Sequence, residues 1–120
     1  MKILVTDDSS VMRKIVIRTI RQAGLGKHEI IEAENGRDGL EKVKEVQPDL
    51  ILSDWNMPEM NGIEFLRALR AGGDTTPFCF VTSEGGEDMA ELAATAGAIG
   101  VIVKPFTAEI FMDKLGTVVS

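Results

Sequence analysis

Four apolar runs in this chain end in residues suited to binding a hard cation or handling a phosphoryl group. Lys2–Thr6 leads into Asp7 and Asp8, Asp49–Ser53 into Asp54, Phe78–Val81 into Thr82 and Ser83, and Val101–Val103 into Lys104. If these runs are neighbouring parallel strands, their carboxyl ends share one edge, which is where open α/β sheets place their sites. That edge would gather three carboxylates, a hydroxyl and an ammonium. Carboxylates this close repel, and a divalent ion bound through oxygen relieves the repulsion; Mg²⁺ is the commonest such ion in cells. With the charge balanced, an Asp54 oxygen could attack a phosphoryl group and form an acyl phosphate. The metal, the Lys104 ammonium and the Thr82 hydroxyl would each meet one of the transferred oxygens. Taken singly, each residue has a plainer reading: Asp8 or Ser9 as a helix cap, Asp54 as a solvated strand end, Lys104 in an ion pair and Thr82 as a strand or cap residue. Their joint placement favours chemistry.

The elements that must position these residues follow from periodicity. Short β-branched runs alternate with longer segments of helical period, the pattern of a parallel sheet flanked by helices, with five of each. The first helix is predicted from Ser9-Ser10, with Met12, Ile15, Val16 and Ile20 as its stripe and Gly24 as a left-handed stop. The second strand reads Glu29–Ala33, and Asn35-Gly36 turns the chain into a helix bearing Leu40, Val43 and Val46 that Pro48 closes. Helix three, from about Gly62, carries Ile63, Leu66 and Leu69; helix four Met89, Leu92, Ala93 and Ala96; helix five Ile110, Phe111, Leu115 and Val118. Glycines at 72–73 and 85–86 mark the loosest loops. Met12, Met89 and Met112 read as core filler, Met57 and Met60 as a cover beside Asp54, and His28 as solvent-facing.

Composition narrows the function. A chain of 120 residues predicts one domain around a single core. Nineteen acidic against thirteen basic residues give a net charge of -6, which opposes a nucleic-acid backbone and suits a basic protein partner. The lone cysteine, Cys79, lies inside an apolar run and reads as a small buried hydrophobe in a reducing compartment. There is no secretory leader pattern, and no apolar run reaches the ~18 residues of a membrane span. A cytoplasmic protein with no membrane contact is expected.

Thr6-Asp7-Asp8-Ser9, Asp54-Trp55-Asn56-Met57-Pro58 with Asn61-Gly62, Val81-Thr82-Ser83-Glu84, and Lys104-Pro105-Phe106 occur in an order and spacing that span the chain. In these motifs the sequence resembles the receiver domains of two-component response regulators, most closely single-domain members of the chemotaxis type. The resemblance implies a doubly wound, flavodoxin-like parallel sheet of order 2-1-3-4-5 with five helices, forming a single receiver domain over residues 1–120 with no output domain. It makes Asp54 the phosphoacceptor, Asp8 a direct Mg²⁺ ligand, Asp7 a ligand through water and the Asn56 backbone carbonyl the remaining protein ligand. Lys104 would pair with the phosphoryl group and Thr82 would close onto it, while Lys104-Pro105 resembles the family's cis peptide. The implied partners are a sensor histidine kinase of the chemotaxis type and a downstream target such as a flagellar motor switch protein. The protein would be a monomeric signalling phosphoacceptor rather than an enzyme, limited to self-phosphorylation from small donors and self-dephosphorylation.

Two features depart from that pattern. Chemotaxis-type members usually carry an aromatic residue three positions before the lysine, where this chain has Val101 and no tyrosine anywhere. Glu84, Glu87, Asp88 and Glu91 also make the fourth helix acidic. Other readings are weaker. A phosphatase of the haloacid dehalogenase type needs Asp-x-Asp after the first strand, whereas Asp7 and Asp8 are adjacent. A flavodoxin would find its FMN phosphate repelled by that pair, and a degenerate receiver would lack one of the five site residues. A phosphate sink or phosphorelay intermediate shares every site residue with a signal carrier.

Overall fold

A computed structural model describes residues 1–25, 28–83, 85–104 and 106–119, apart from the side chains of 25 and 117–119. Its strands are β1 (Lys2–Thr6), β2 (Glu29–Ala33), β3 (Leu50–Ser53), β4 (Phe78–Thr82) and β5 (Gly100–Val103). All pair in parallel in the order β2-β1-β3-β4-β5. Between and after them run α1 (Ser10–Ile20), α2 (Gly36–Val46), α3 (Gly62–Ala71), α4 (Glu87–Ala96) and α5 (Ala108–Val119). The expected fold class and strand order are both present.

The inner strands β1, β3 and β4 are buried along almost their whole length because helices cover both faces of the sheet. The edge strands β2 and β5 keep exposed positions at Glu29, Glu32 and Val103. Ile3, Val5, Leu50, Leu52, Cys79, Val81 and Ile102 pack with Val16 and Ile20 of α1 and Phe111 and Leu115 of α5. The alternate positions Leu4, Ile51, Phe78 and Phe80 pack with Val43 of α2, with Ile63, Phe65, Leu66 and Leu69 of α3, and with Ala93 of α4. Burial pushes the Cys79 thiol up to about 12, so it behaves as the inert core residue expected.

Helix ends follow local chemistry. A wider turn over Arg21–Leu25 extends α1 to Gly24, which takes the left-handed conformation (φ 84°). Asn61 and Glu64 form a reciprocal capping box at the start of α3. Gln47, left-handed at φ 49°, ends α2 before Pro48. Helix α4 differs at its two ends. It starts at Gly86 with no side-chain cap, while its far end is fixed by Arg70, whose Nη2 donates to the carbonyls of Gly97 and Thr76, both at 2.9 Å.

Several apolar helical positions face outward instead of joining the core. Ile15, Leu92, Ile110 and Met112 are exposed, at 41%, 47%, 39% and 41%. In α4 the buried contact is made through Ala93, and Leu92 lies about 100° around the helix from it. His28 is half-buried rather than solvent-facing. Val118, Glu84 and the Lys104-Pro105 peptide lie outside the described parts. No helix among the described residues is long and apolar enough to cross a membrane.

Candidate functional site

Parallel pairing aligns Thr6 with Ser53 and Thr82 with Val103, so the residues that follow emerge at one edge. The main-chain ladder continues one residue beyond the strands. Asp7 N donates to the Ala33 carbonyl at 3.1 Å, Asp54 N to Thr6 at 2.9 Å and Lys104 N to Thr82 at 2.8 Å. Asp7, Asp54 and Lys104 are therefore held by sheet hydrogen bonds before any side chain contributes.

Asp7 is buried, Asp54 half-buried and Asp8 exposed, and one oxygen from each lies within 4.8 Å of the others. Ser9 caps α1, its hydroxyl accepting from Met12 N at 3.2 Å, while Asp7 Oδ1 accepts from Ser9 N at 2.9 Å. The capping role open to Asp8 or Ser9 thus falls to Ser9. Lys104 Nζ stands 3.4 Å from Asp7 Oδ2. Asp54 Oδ1 accepts from Trp55 N at 2.8 Å, and the Thr82 side chain hydrogen-bonds the same carboxylate.

Burial is the main cause that raises the Asp7 carboxyl above its usual 3.8, and the Asp54 charge adds to it against the Ser9 amide and Lys104. Asp54 is also raised, first by burial and then by Asp8, against Lys104, the Trp55 amide and Thr82. Two partly desolvated acids that each resist ionisation, beside a third that is free to solvent, form an all-oxygen donor set for a hard divalent cation. These residues fit Mg²⁺.

The loop after β3 is shaped by close packing. Gly62 N donates to the Trp55 carbonyl at 2.8 Å, and a Cβ on Gly62 would collide with the Asp54 carbonyl oxygen and lie 2.8 Å from the Phe80 ring. Only glycine fits there. Trp55 packs tilted on Phe80 with centroids 4.5 Å apart. Asn56 is exposed, Met57 is buried, and Met60 packs on the core of the α2–α4 side.

Residues 3–115 match the response regulator receiver domain family. The chain belongs to that family. This receiver domain is 40% identical over 121 residues to the chemotaxis protein CheY1 of Helicobacter pylori strain J99, covering 98% of this chain and 96% of that one. It is 41% identical over 118 residues to a chemotaxis protein CheY homolog of Campylobacter jejuni, covering 96% and 89%. Among solved structures, the chemotaxis response regulator CheY4 of Vibrio cholerae superposes with a TM-score of 0.84 at 36% identity, covering 98% and 97%. A LuxR-family DNA-binding response regulator from Staphylococcus aureus shares the fold at 22% identity and a TM-score of 0.86.

The receiver domain brings Asp7, Asp8, Asp54, Thr82 and Lys104 to one edge, as expected. Sequence reasoning passed over Arg13, whose Nη1 donates to the Asp7 carbonyl at 2.6 Å and whose Nε pairs with Glu32 at 2.9 Å. Its signal was present: a cation four residues after the cap lies one turn into the helix, above the capping loop. The sequence reads Asn35 only as a turn residue, although its side chain also caps α2 by accepting from Asp38 N at 2.8 Å; Glu59 was passed over, and no local pattern marks it.

Proposed function

We propose that this receiver domain accepts a phosphoryl group on Asp54 from the phosphohistidine of a sensor kinase and signals through the resulting change of shape, in the control of chemotaxis. The observation that carries this reading is the convergence of Asp54 with two further acids, the Lys104 ammonium and the Thr82 hydroxyl at one strand edge. Two relatives at about 40% identity are chemotaxis proteins by name, which supports the biological setting.

An Asp54 oxygen attacks phosphorus while the donor's phosphorus–nitrogen bond breaks, its electron pair leaving with the imidazole, and an acyl phosphate remains. Trp55 N holds one Asp54 oxygen and so fixes the direction in which the carboxylate presents the other. Lys104 and Thr82 supply positive charge and a donor to the oxygens that gain charge in transfer. Asp8, Asp54 and the Asn56 carbonyl would hold Mg²⁺ directly and Asp7 through water, and when bound the ion supplies the remaining countercharge. Burial of Asp54 leaves its carboxylate less shielded by water. Because the charge stabilisation is assembled within one domain, a kinase is not needed for the chemistry itself, only for specificity.

Incubation with acetyl phosphate and Mg²⁺ should therefore label the protein at one site per chain, and chelation should stop it. Asp54→Asn should not label. Lys104→Ala should retain some label but uncouple it from conformational change. Stoichiometric labelling of the Asp54→Asn protein would overturn the assignment.

A further inference from the structure

The loop from Asp54 to Gly62 carries Asn56, and a backbone carbonyl can be placed only by the path of its loop. That loop is tied to the rest of the molecule at the start of α2. Asn35 Nδ2 donates to Glu59 Oε2 at 3.0 Å, and Gly36 N donates to the Met60 carbonyl at 3.1 Å. Asn35 is buried and its other side-chain atom is also engaged, Oδ1 accepting from Asp38 N at 2.8 Å to cap α2. Gly36 lies so close that an added Cβ would stand 2.7 Å from the Met60 carbonyl oxygen. Glu59 sits at φ 64°, a left-handed conformation uncommon for a residue with a side chain. An unfavourable backbone state persists where surrounding contacts over-determine it, and the Asn35 amide is such a contact.

We propose that the Asn35–Glu59 hydrogen bond positions the Asn56 carbonyl for the metal, so that Asn35 is a positioning residue for Mg²⁺ binding although it touches no ligand. The inference rests on the reading of Asn56 as a ligand given above. Asn35 is suited to the role because its two side-chain atoms point to different elements: the oxygen belongs to α2 and the nitrogen to the loop. Through it, the end of β2 sets the conformation of the segment that follows β3. Partners bonded directly to a ligand commonly change metal affinity by about tenfold or more when lost, and a tether that sets the ligand's loop acts on the same carbonyl one step further out.

Exchanging the donor and acceptor tests this. Asn35→Asp keeps an oxygen to cap α2 but sets two carboxylates against each other, so the tether is lost while the helix start is retained. Glu59→Gln keeps an acceptor for Asn35. The double variant Asn35→Asp/Glu59→Gln restores one amide and one carboxylate with the wild-type net charge. Mg²⁺ titrations of the full chain, followed by Trp55 emission well below the melting temperature, should show Asn35→Asp weakened about tenfold. Glu59→Gln should stay near wild type, and the double variant should recover. A simple effect of charge on the cation predicts the opposite order, with Asn35→Asp tighter and Glu59→Gln weaker. That order, or equal affinities throughout, would overturn the proposal, as would a double variant that fails to recover. Absence of any Mg²⁺ response in the wild-type chain would instead refute the metal reading on which it rests.

Discussion

Asp7 is the acid on which opposing influences meet most closely: it is buried, faces Asp54, accepts from the Ser9 amide and lies 3.4 Å from Lys104. Its carboxyl is raised, chiefly by burial, so ionising it costs more in the folded chain than in the unfolded one. The sign follows from linkage. A raised acid contributes stability that is fully present below its unfolded value near 3.8 and is lost as pH rises through its higher folded value. At neutral pH in chelator, Asp7→Asn should therefore be more stable than wild type by on the order of 1 kcal/mol, and the gap should close on acidification. Denaturant titrations at neutral and mildly acidic pH measure both; equal stability at neutral pH would mean that the acids do not strain the fold. Chemistry at this scale was legible in the sequence because strand ends announce themselves: an apolar run that stops at an acid or a lysine marks an edge. The Asn35–Glu59 bond was not legible, since its partners are 24 residues apart and meet only through the tertiary path of two loops.

Among the elements, α4 has the clearest asymmetry. Its first turn begins at uncapped Gly86, while its last is held at Gly97 by Arg70. A helix fixed at one end and loose at the other can swing without unfolding. Val101 is too short and too stiff at χ1 to offer the two ring positions of an aromatic residue, which leaves the loop after β4 to convey the signal. Gly85 lies against Val103, where a Cβ would approach Cγ2 to 2.6 Å, so a side chain at this point would press on the end of β5. Hydrogen exchange with and without a stable phosphoryl mimic should change most over residues 85–92 and less over 93–97. Changes confined to β5 would contradict this. The strands were readable from β-branched runs to within one residue, and helices from their apolar spacing. Which of two adjacent apolar residues faces inward was not: Leu92 and Ala93 are equivalent in pattern, and only the short approach that alanine allows selects the second.

At the scale of the whole molecule, a net charge of -6 and the exposed acids Glu87, Asp88 and Glu91 on α4 predict a partner whose association slows as salt rises. The sheet order has another effect. The first strand lies inside the sheet, between β2 and β3, and reaching β3 closes a separation of 47 residues between Lys2 and Asp49. The strand that delivers Lys104 pairs with β4 at the far edge, so Lys104 reaches Asp7 only once the β1–β3, β3–β4 and β4–β5 pairings are all in place, whereas Asp7 and Asp54 need the first alone. Asp7 and Asp54 should therefore meet before their cation arrives, and repulsion between them should raise the folding barrier. In metal-free buffer Asp54→Asn should refold several-fold faster, about 1 kcal/mol off the barrier, as followed by stopped-flow Trp55 fluorescence. A change in the unfolding rate alone would place cluster assembly after the barrier. On the ribosome the same order is imposed by synthesis: all three aspartates are made before Lys104, and for that interval dissolved Mg²⁺ is the counter-ion within reach of a nascent chain.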